Sequence, residues 1–167
     1  MKRAEANDPD PGALLELGKH YHEGDYDTAF KYFTKAAEWG DVGVGAHLLL
    51  SSLYQEGEGV EKDEKKELYH LEEAAISGNF FARHNLASHE ERTNRIDRAV
   101  RHLIIAANLG YDGSIQALRQ FYADGEVSKE DFASALRAHH AAVEATKSPQ
   151  REAAARAEAK REIRWEK

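Results

Sequence analysis

The segment LYQEGEGVEKDEKKELYHLEEAAISG, residues 53–78, contains the signals that decide how this chain folds. An apolar helical run leads into Gly57 and Gly59, and a second helical run ends in Ala-Ala-Ile-Ser-Gly. A Gly-x-Gly ahead of a helix is also typical of a phosphate-binding loop. A dinucleotide-binding loop needs a preceding strand and a third glycine, but Lys62 stands at the third position and the preceding segment is helical. No Gly-Lys-Ser/Thr follows either. We therefore interpret the glycines as a turn between two helices.

Double alanines recur along the chain and divide it into units of similar length. The four pairs begin at Ala36, Ala74, Ala106 and Ala141. The intervals between them are 38, 32 and 35 residues. A Leu-small-x-x-Tyr-x-x-Gly series precedes the first two pairs, whereas the third unit has Glu90 in place of the tyrosine and the fourth has Arg119 in place of the small residue. Units of this length predict a solenoid of stacked helix pairs.

We predict an all-α fold, an α-α superhelix that forms a right-handed solenoid of about four helix-turn-helix repeats plus a C-terminal helix. The solenoid is expected to span residues 1–146, with repeats at about 11–42, 43–79, 80–111 and 112–146. Residues 147–167 are rich in Ala, Glu, Arg and Lys and are expected to form a charged helix or cap.

The first unit illustrates how the two helices of a pair are expected to pack and end. Its first helix is predicted to turn Ala13, Leu17, Gly18 and Tyr21 towards the core, with Gly18 allowing a neighbouring helix to approach closely. Its second helix is expected to stop at Gly40, because glycine takes the left-handed conformation without strain.

One apolar residue lies between the two helices of each unit and is expected to fill the gap between them. These residues are Tyr26, Val60, Ile96 and Val127. Three of them are followed by a residue that we predict to cap the second helix, namely Asp27, Asp97 and Ser128.

This pattern resembles the Sel-1-like repeat family, a relative of the tetratricopeptide repeats, whose motif is roughly A-x-x-x-L-G-x-x-Y, then G-x-G-V, then D-x-x-K-A, then K-A-A-x-x-G. In the second unit the matching residues are Ala46, Leu50, Tyr54, Gly57, Gly59, Val60, Asp63, Lys66, Ala74, Ala75 and Gly78. The chain also looks similar to repeat arrays of algal proteins. The resemblance implies an interaction module whose first helices line a concave face where partners dock.

Charge and composition narrow the classes of partner. The net charge is −7, and the segment from Lys147 onward holds seven Lys or Arg and four Asp or Glu residues, so the remainder carries −10. Such a body repels nucleic acid and anionic lipid, so we expect neither nucleic-acid nor membrane binding. No apolar run approaches the roughly 20 residues of a membrane helix. The chain has 0 cysteines, which fits a cytoplasmic protein without excluding an organelle.

Residues that could carry catalysis or hold a metal do not form a convincing pattern. The chain has 9 histidines, but no two are three or four positions apart. His89-Glu90 opens like a zinc-protease motif, yet Thr93 stands where the second histidine is needed. Adjacent carboxylates diverge by about 100° on a helix, and no Gly-x-Ser-x-Gly elbow is present. We predict no catalytic residue, no metal ligand and no cofactor.

The first helix of each unit instead offers a strip of polar side chains beside its core stripe. The predicted partner-binding residues are Leu15, Lys19, His22, Leu48, Ser52, Gln55, His84, Ser88, Glu91, Gln116 and Gln120. The strip predicts a non-catalytic adaptor or scaffold, monomeric alone or part of a larger assembly, that binds a protein or peptide. The alternatives are a permanent structural subunit of a complex and a substrate adaptor of a ubiquitin-ligase or quality-control system. A hydrolase is a weaker alternative.

Overall fold

The computed structural model describes residues 10–22 and 24–146, and these residues form eight α-helices and no β-strand. The helices are α1 (Pro11–Tyr21), α2 (Tyr26–Ala37), α3 (Gly40–Glu56), α4 (Glu64–Ile76), α5 (Phe80–Arg92), α6 (Ile96–Asn108), α7 (Asp112–Ala123) and α8 (Lys129–Thr146). The predicted C-terminal helix of residues 147–167 lies outside the described residues.

Each helix packs against its neighbours in the chain. The pairs α1–α2, α3–α4, α5–α6 and α7–α8 are joined by contacts of α2 with α3, α4 with α5 and α6 with α7. Because contacts run almost entirely between sequence neighbours, the helix pairs stack into a solenoid, as the repeat spacing predicts. The all-α prediction is confirmed.

Small side chains lie where the helices come closest. Ala36, Ala74 and Ala106, the first alanines of three predicted pairs, are each 0% exposed. A Cβ atom added to Gly18 would lie 2.4 Å from Cε1 of the fully buried Phe33. The close approach that the sequence predicts at Gly18 is therefore present between α1 and α2.

The rotation of α1 about its axis differs from the prediction. Leu14 is the buried leucine, at 3% exposure, whereas Leu17 is 40% exposed and Ala13 is exposed. Leu14 and Gly18 lie one turn apart and share a face of the helix, so the face that contacts Phe33 carries Leu14 instead of Leu17. The expectation that Ala13 and Leu17 face the core is wrong.

Two of the three predicted caps are wrong, for a common reason. The gap-filling residues Tyr26 and Ile96 are themselves the first residues of α2 and α6, so the capping position precedes them. Asp25, and not Asp27, caps α2 by accepting a hydrogen bond from the Thr28 backbone N–H at 3.0 Å.

The start of α6 lacks a side-chain cap, because its N-cap residue is Arg95 and Asp97 lies in its first turn. The third predicted cap is confirmed: Ser128 Oγ accepts from the Asp131 backbone N–H at 3.0 Å.

Glycines follow two of the second helices, but the expectation that Gly40 ends the first of them is wrong. Gly78 and Gly110 follow α4 and α6 with φ of 88° and 90°. Gly40 is instead the first residue of α3. The chain turns there through Glu38, which keeps a right-handed helical conformation, and Trp39, so no left-handed glycine is needed.

The Gly-x-Gly of the opening segment is a helix–helix turn with two separate tasks. Gly57 ends α3 at φ 76°, and its N–H donates to the Leu53 carbonyl at 2.9 Å. Gly59, at φ 69°, lies against the backbone at the start of α2, where an added Cβ would be 2.5 Å from the Tyr26 carbonyl carbon. The turn of the second repeat thus packs on the first repeat.

We expect Gly59→Ala to destabilise the protein much more than Gly78→Ala. Both glycines have positive φ, which costs roughly 1–2 kcal/mol for an L-residue. Gly78 has open space around it, whereas at Gly59 the new methyl group would also collide with backbone atoms that cannot rotate away. Urea unfolding of the two variants measures the difference. Equal losses would show that the contact with Tyr26 contributes nothing.

Glu90 replaces the tyrosine of the repeat motif without disturbing α5. It is 4% exposed, and its carboxylate accepts a hydrogen bond from Arg95 Nε and forms an ion pair with Arg98 Nη2 at 3.0 Å. Burial raises the pKa of this carboxyl, but the Arg95 hydrogen bond and the charges of both arginines outweigh it and leave the pKa lowered. Two arginines thus compensate for the carboxylate at this core position.

We expect the double change Arg95→Ala, Arg98→Ala to cost about 2 kcal/mol of stability, because it leaves a buried carboxylate without charged partners. Adding Glu90→Gln to the double variant should restore part of the loss, since the uncompensated charge disappears. Denaturant unfolding at neutral pH measures both steps. A triple variant no more stable than the double would contradict this account of Glu90.

Candidate functional site: a groove between α3 and α5

A groove runs between the first helices of the second and third helix pairs. It consists of two cavities of about 350 Å³ and 280 Å³ that share Ser51, Gln55 and Asn85. α3 forms one wall and α5 forms the other, and α4 contributes residues to the floor. The groove thus lies on the helices where the sequence predicts partner contact.

One end of the groove is apolar. Leu48 and Leu49 of α3 face Phe81 of α5 across the first cavity. Phe81 is 45% exposed, and Leu48 packs below against the core cluster formed around α4 and α5. This end offers an open apolar surface for a hydrophobic side chain.

The other end of the groove is polar. Glu67 and Leu71 of α4 lie in the second cavity together with Ser88 and Arg92 of α5. Glu67 is only 8% exposed, and its carboxylate makes no hydrogen bond or ion pair with the described residues. Burial raises the pKa of this carboxyl, Arg92 is the largest influence that lowers it, and the neighbouring Glu64 raises it further.

Two serine hydroxyls in this groove are already used as donors. Ser51 Oγ donates to the Leu48 carbonyl at 2.6 Å, and Ser88 Oγ donates to the His84 carbonyl at 3.4 Å. Their oxygen lone pairs remain as acceptors, beside the carboxylate of Glu67. The polar end of the groove thus presents hydroxyl and carboxylate acceptors together with the amide donors of Gln55 and Asn85 and the guanidinium donors of Arg92.

The structure brings four of the predicted partner-binding residues together in this groove and places the others elsewhere. The four are Leu48, Ser52, Gln55 and Ser88. Leu15 packs in the first core cluster, and His22 lies in ring contact with Tyr26 at 5.4 Å. Lys19 forms an ion pair with Glu16 at 2.8 Å.

The remaining predicted residues lie on α5 and α7. Nδ1 of His84 is 3.1 Å from Ser114 Oγ, which links α5 to α7. Gln120 donates to Asp124 at 3.0 Å. Glu91 and Gln116 are exposed outside the groove.

Comparison with known proteins identifies the repeat. The sequence profile of the Sel1 repeat matches residues 11–41, 44–79 and 90–111, more than half of the chain. The chain belongs to the Sel1 repeat family. No curated protein sequence matches it significantly.

Two solved Sel1-type structures are similar to this one. One is a protective antigen of uropathogenic Escherichia coli with an SLR fold, at 28% identity and a TM-score of 0.66 over 83% of this chain. The other is a Sel1 repeat protein from Oxalobacter formigenes, at 27% identity and a TM-score of 0.67 over 83% of this chain. The chain spans only 31% and 59% of the lengths of these two relatives.

The Sel1 repeat pattern makes Glu67 unusual. It stands seven residues before the double alanine of its repeat, and the same position holds Ala29 in the first repeat and Ala99 in the third. Both alanines are 0% exposed. The second repeat thus places a carboxylate where its neighbours bury a methyl group.

On α5 the predicted partner-binding residues and the groove have only Ser88 in common. Sequence reasoning selected positions 84, 88 and 91, whereas the groove is lined by Phe81, Asn85, Ser88 and Arg92. Glu67 was detectable, because it interrupts a stripe of otherwise apolar core positions on α4.

A second polar cluster joins α3 to α4 through histidines. Nδ1 of His47 and Nδ1 of His70 are 2.8 Å apart, so one ring donates to the other and both cannot be protonated at these nitrogens. Burial, followed by the charges of His47 and Lys66, lowers the pKa of His70 from 6.5 to about 4. Burial also lowers the pKa of His47, while the charge of Glu73 raises it.

Among the described residues, no group of three or more His, Cys, Asp or Glu is arranged to hold a metal ion.

We expect the His47–His70 pair to make stability depend on pH. The pKa of His70 is lower in the folded protein than its ordinary 6.5, so the unfolded chain binds the proton more readily. This contribution is fully present above 6.5 and is lost as the pH falls towards about 4. Unfolding free energies at several pH values should show a smaller decrease on acidification for His70→Gln than for the wild type. His20→Gln, at an exposed position, is the control, and an unchanged decrease in His70→Gln would contradict the expectation.

Proposed function

We propose that this chain is a non-catalytic interaction module that binds a segment of a protein partner in the α3–α5 groove. The observation that carries the proposal is the groove itself: two adjoining cavities between neighbouring first helices, apolar at one end and polar at the other. A pocket that combines an apolar surface with a few polar groups suits the recognition of a peptide side chain and its neighbours. An adaptor or scaffold role follows from binding without catalysis.

The acidic character of the chain supports a protein partner over a nucleic acid. The net charge is −7, and a negative body repels phosphate groups. Within the described residues, no helix is both long and apolar enough to cross a bilayer. A cytoplasmic location stays a prediction from composition.

A permanent structural subunit is the second candidate, and exposed apolar side chains on the second helices favour it. Tyr69 and Ile76 of α4 are 53% and 74% exposed, and Ile105 of α6 is 40% exposed. Side chains of this kind, close together on one surface, mark protein interfaces. Concentration-dependent self-association in analytical ultracentrifugation would favour this candidate, and a monomer would favour the groove-binding module.

We expect Asn85→Trp to block partner binding by filling the groove, without affecting the fold, because Asn85 is exposed. A photo-crosslinking residue at Gln55, in lysate of the source cells, should attach to a partner in the wild-type background and lose it in the Asn85→Trp background. Gln116→Trp, at an exposed position on α7 outside the groove, is the matched control. Equal crosslinking in all three backgrounds would show that the groove is not the binding surface.

A further inference from the structure

The carboxylate of Glu67 is an acceptor without a partner in the floor of the α3–α5 groove. The residue is 8% exposed and lines the cavity, and no described residue donates a hydrogen bond to it or lies within ion-pair distance. Its carboxylate oxygens remain accessible from the cavity. Glu90, the other buried glutamate that departs from the repeat pattern, is satisfied by two arginines. Unlike Glu90, the Glu67 carboxylate is open to a partner from another molecule.

The charges around Glu67 leave room for an incoming cation. Its own helix contributes Glu64, α3 contributes Glu56, and α5 contributes Arg92 and His89. His89 lies beside Glu64, with Nδ1 3.5 Å from Oε1. Arg92 is exposed at the rim of the same cavity and is too distant to form an ion pair with Glu67. Three carboxylates thus face two basic side chains, and neither basic side chain is bonded to Glu67.

A carboxylate only accepts hydrogen bonds, so the group that pairs with Glu67 must be a donor. Ser51 and Ser88 have used their hydroxyl hydrogens within their own helices, so they present oxygen lone pairs beside the Glu67 carboxylate. The guanidinium of arginine carries five N–H donors and no acceptor, and it binds carboxylates in a fixed planar geometry. Among side chains, arginine therefore has the donor geometry that best matches the Glu67 carboxylate.

The length of the groove sets the spacing of the ligand. Leu48, at the apolar end, and Gln55, which lines the same cavity as Glu67, are seven residues apart on α3, which corresponds to about 10 Å along the helix axis. A polyproline II segment rises about 3.1 Å per residue and returns to the same face every three residues. Side chains three positions apart in such a segment would reach both ends of the groove.

We propose that the α3–α5 groove recognises an extended partner segment in which an apolar residue and an arginine lie three positions apart. The arginine binds the carboxylate of Glu67, and the apolar side chain packs between Leu48 and Phe81. This inference rests on the proposed function, because it names the class of segment that the same groove takes.

Selection from a random octapeptide phage library on the full chain tests the proposal. We expect the enriched peptides to share an apolar residue and an arginine three positions apart. We also expect these peptides not to bind the Glu67→Gln and Asn85→Trp variants. If the enriched peptides contain no basic residue but fail to bind the Asn85→Trp variant, this inference is overturned and the proposed function stands. If the enriched peptides bind the Asn85→Trp variant as well as the wild type, or if no peptide is enriched, both this inference and the proposed function are overturned.

Fluorescence anisotropy with a labelled selected peptide then separates Glu67 from Arg92. Glu67→Gln should weaken binding by about tenfold or more, and so should replacing the peptide arginine with the neutral citrulline. Arg92→Gln should strengthen binding, because it removes the competing cation at the rim. Melting temperatures establish that each variant is folded. Weaker binding by a folded Arg92→Gln variant, or equal binding of the citrulline peptide, would overturn the proposal.

Discussion

Close approach of helices at alanine and glycine positions is the constraint on which the whole structure depends. Ala29, Ala36, Ala74, Ala99 and Ala106 are all 0% exposed, and they lie on the second helices of three successive pairs. A side chain of one carbon brings the backbones together and loses no rotamer freedom on burial. The recurring contact repeats the same packing along the chain, and it explains why the double alanines are the clearest signal in the sequence.

Two glutamates depart from this pattern, and their surroundings give them different consequences. Glu90 occupies the tyrosine position of its repeat and is held by arginines from the following turn and helix, so its charge is compensated within the fold. Glu67 occupies an alanine position and points its carboxylate towards the groove, where no described residue pairs with it. The first departure is a structural substitution, whereas the second supplies the acceptor on which the proposed recognition rests.

Prediction from the sequence was accurate for the repeat and inaccurate where one residue of register matters. The helix pairs and the Gly57–Gly59 turn agree with the structure. The predicted caps of α2 and α6 are wrong. Tyr26 and Ile96 were expected to lie before these helices, but they are their first residues. In the candidate site, Leu48, Ser52, Gln55 and Ser88 were found. Asn85 and Arg92 were not predicted, because neither breaks the periodic pattern.

The sequence by itself determined the architecture, because helix pairs in a solenoid contact mainly their neighbours and each repeat carries its own packing signals. It also determined that Glu67 and Glu90 interrupt otherwise regular positions. Only the tertiary structure decided that Glu90 meets two arginines and that Glu67 meets none. It alone showed that the facing sides of α3 and α5 enclose a groove. These outcomes depend on how two separate helices are rotated towards each other, and that rotation is set by packing across repeats and not by the pattern within one.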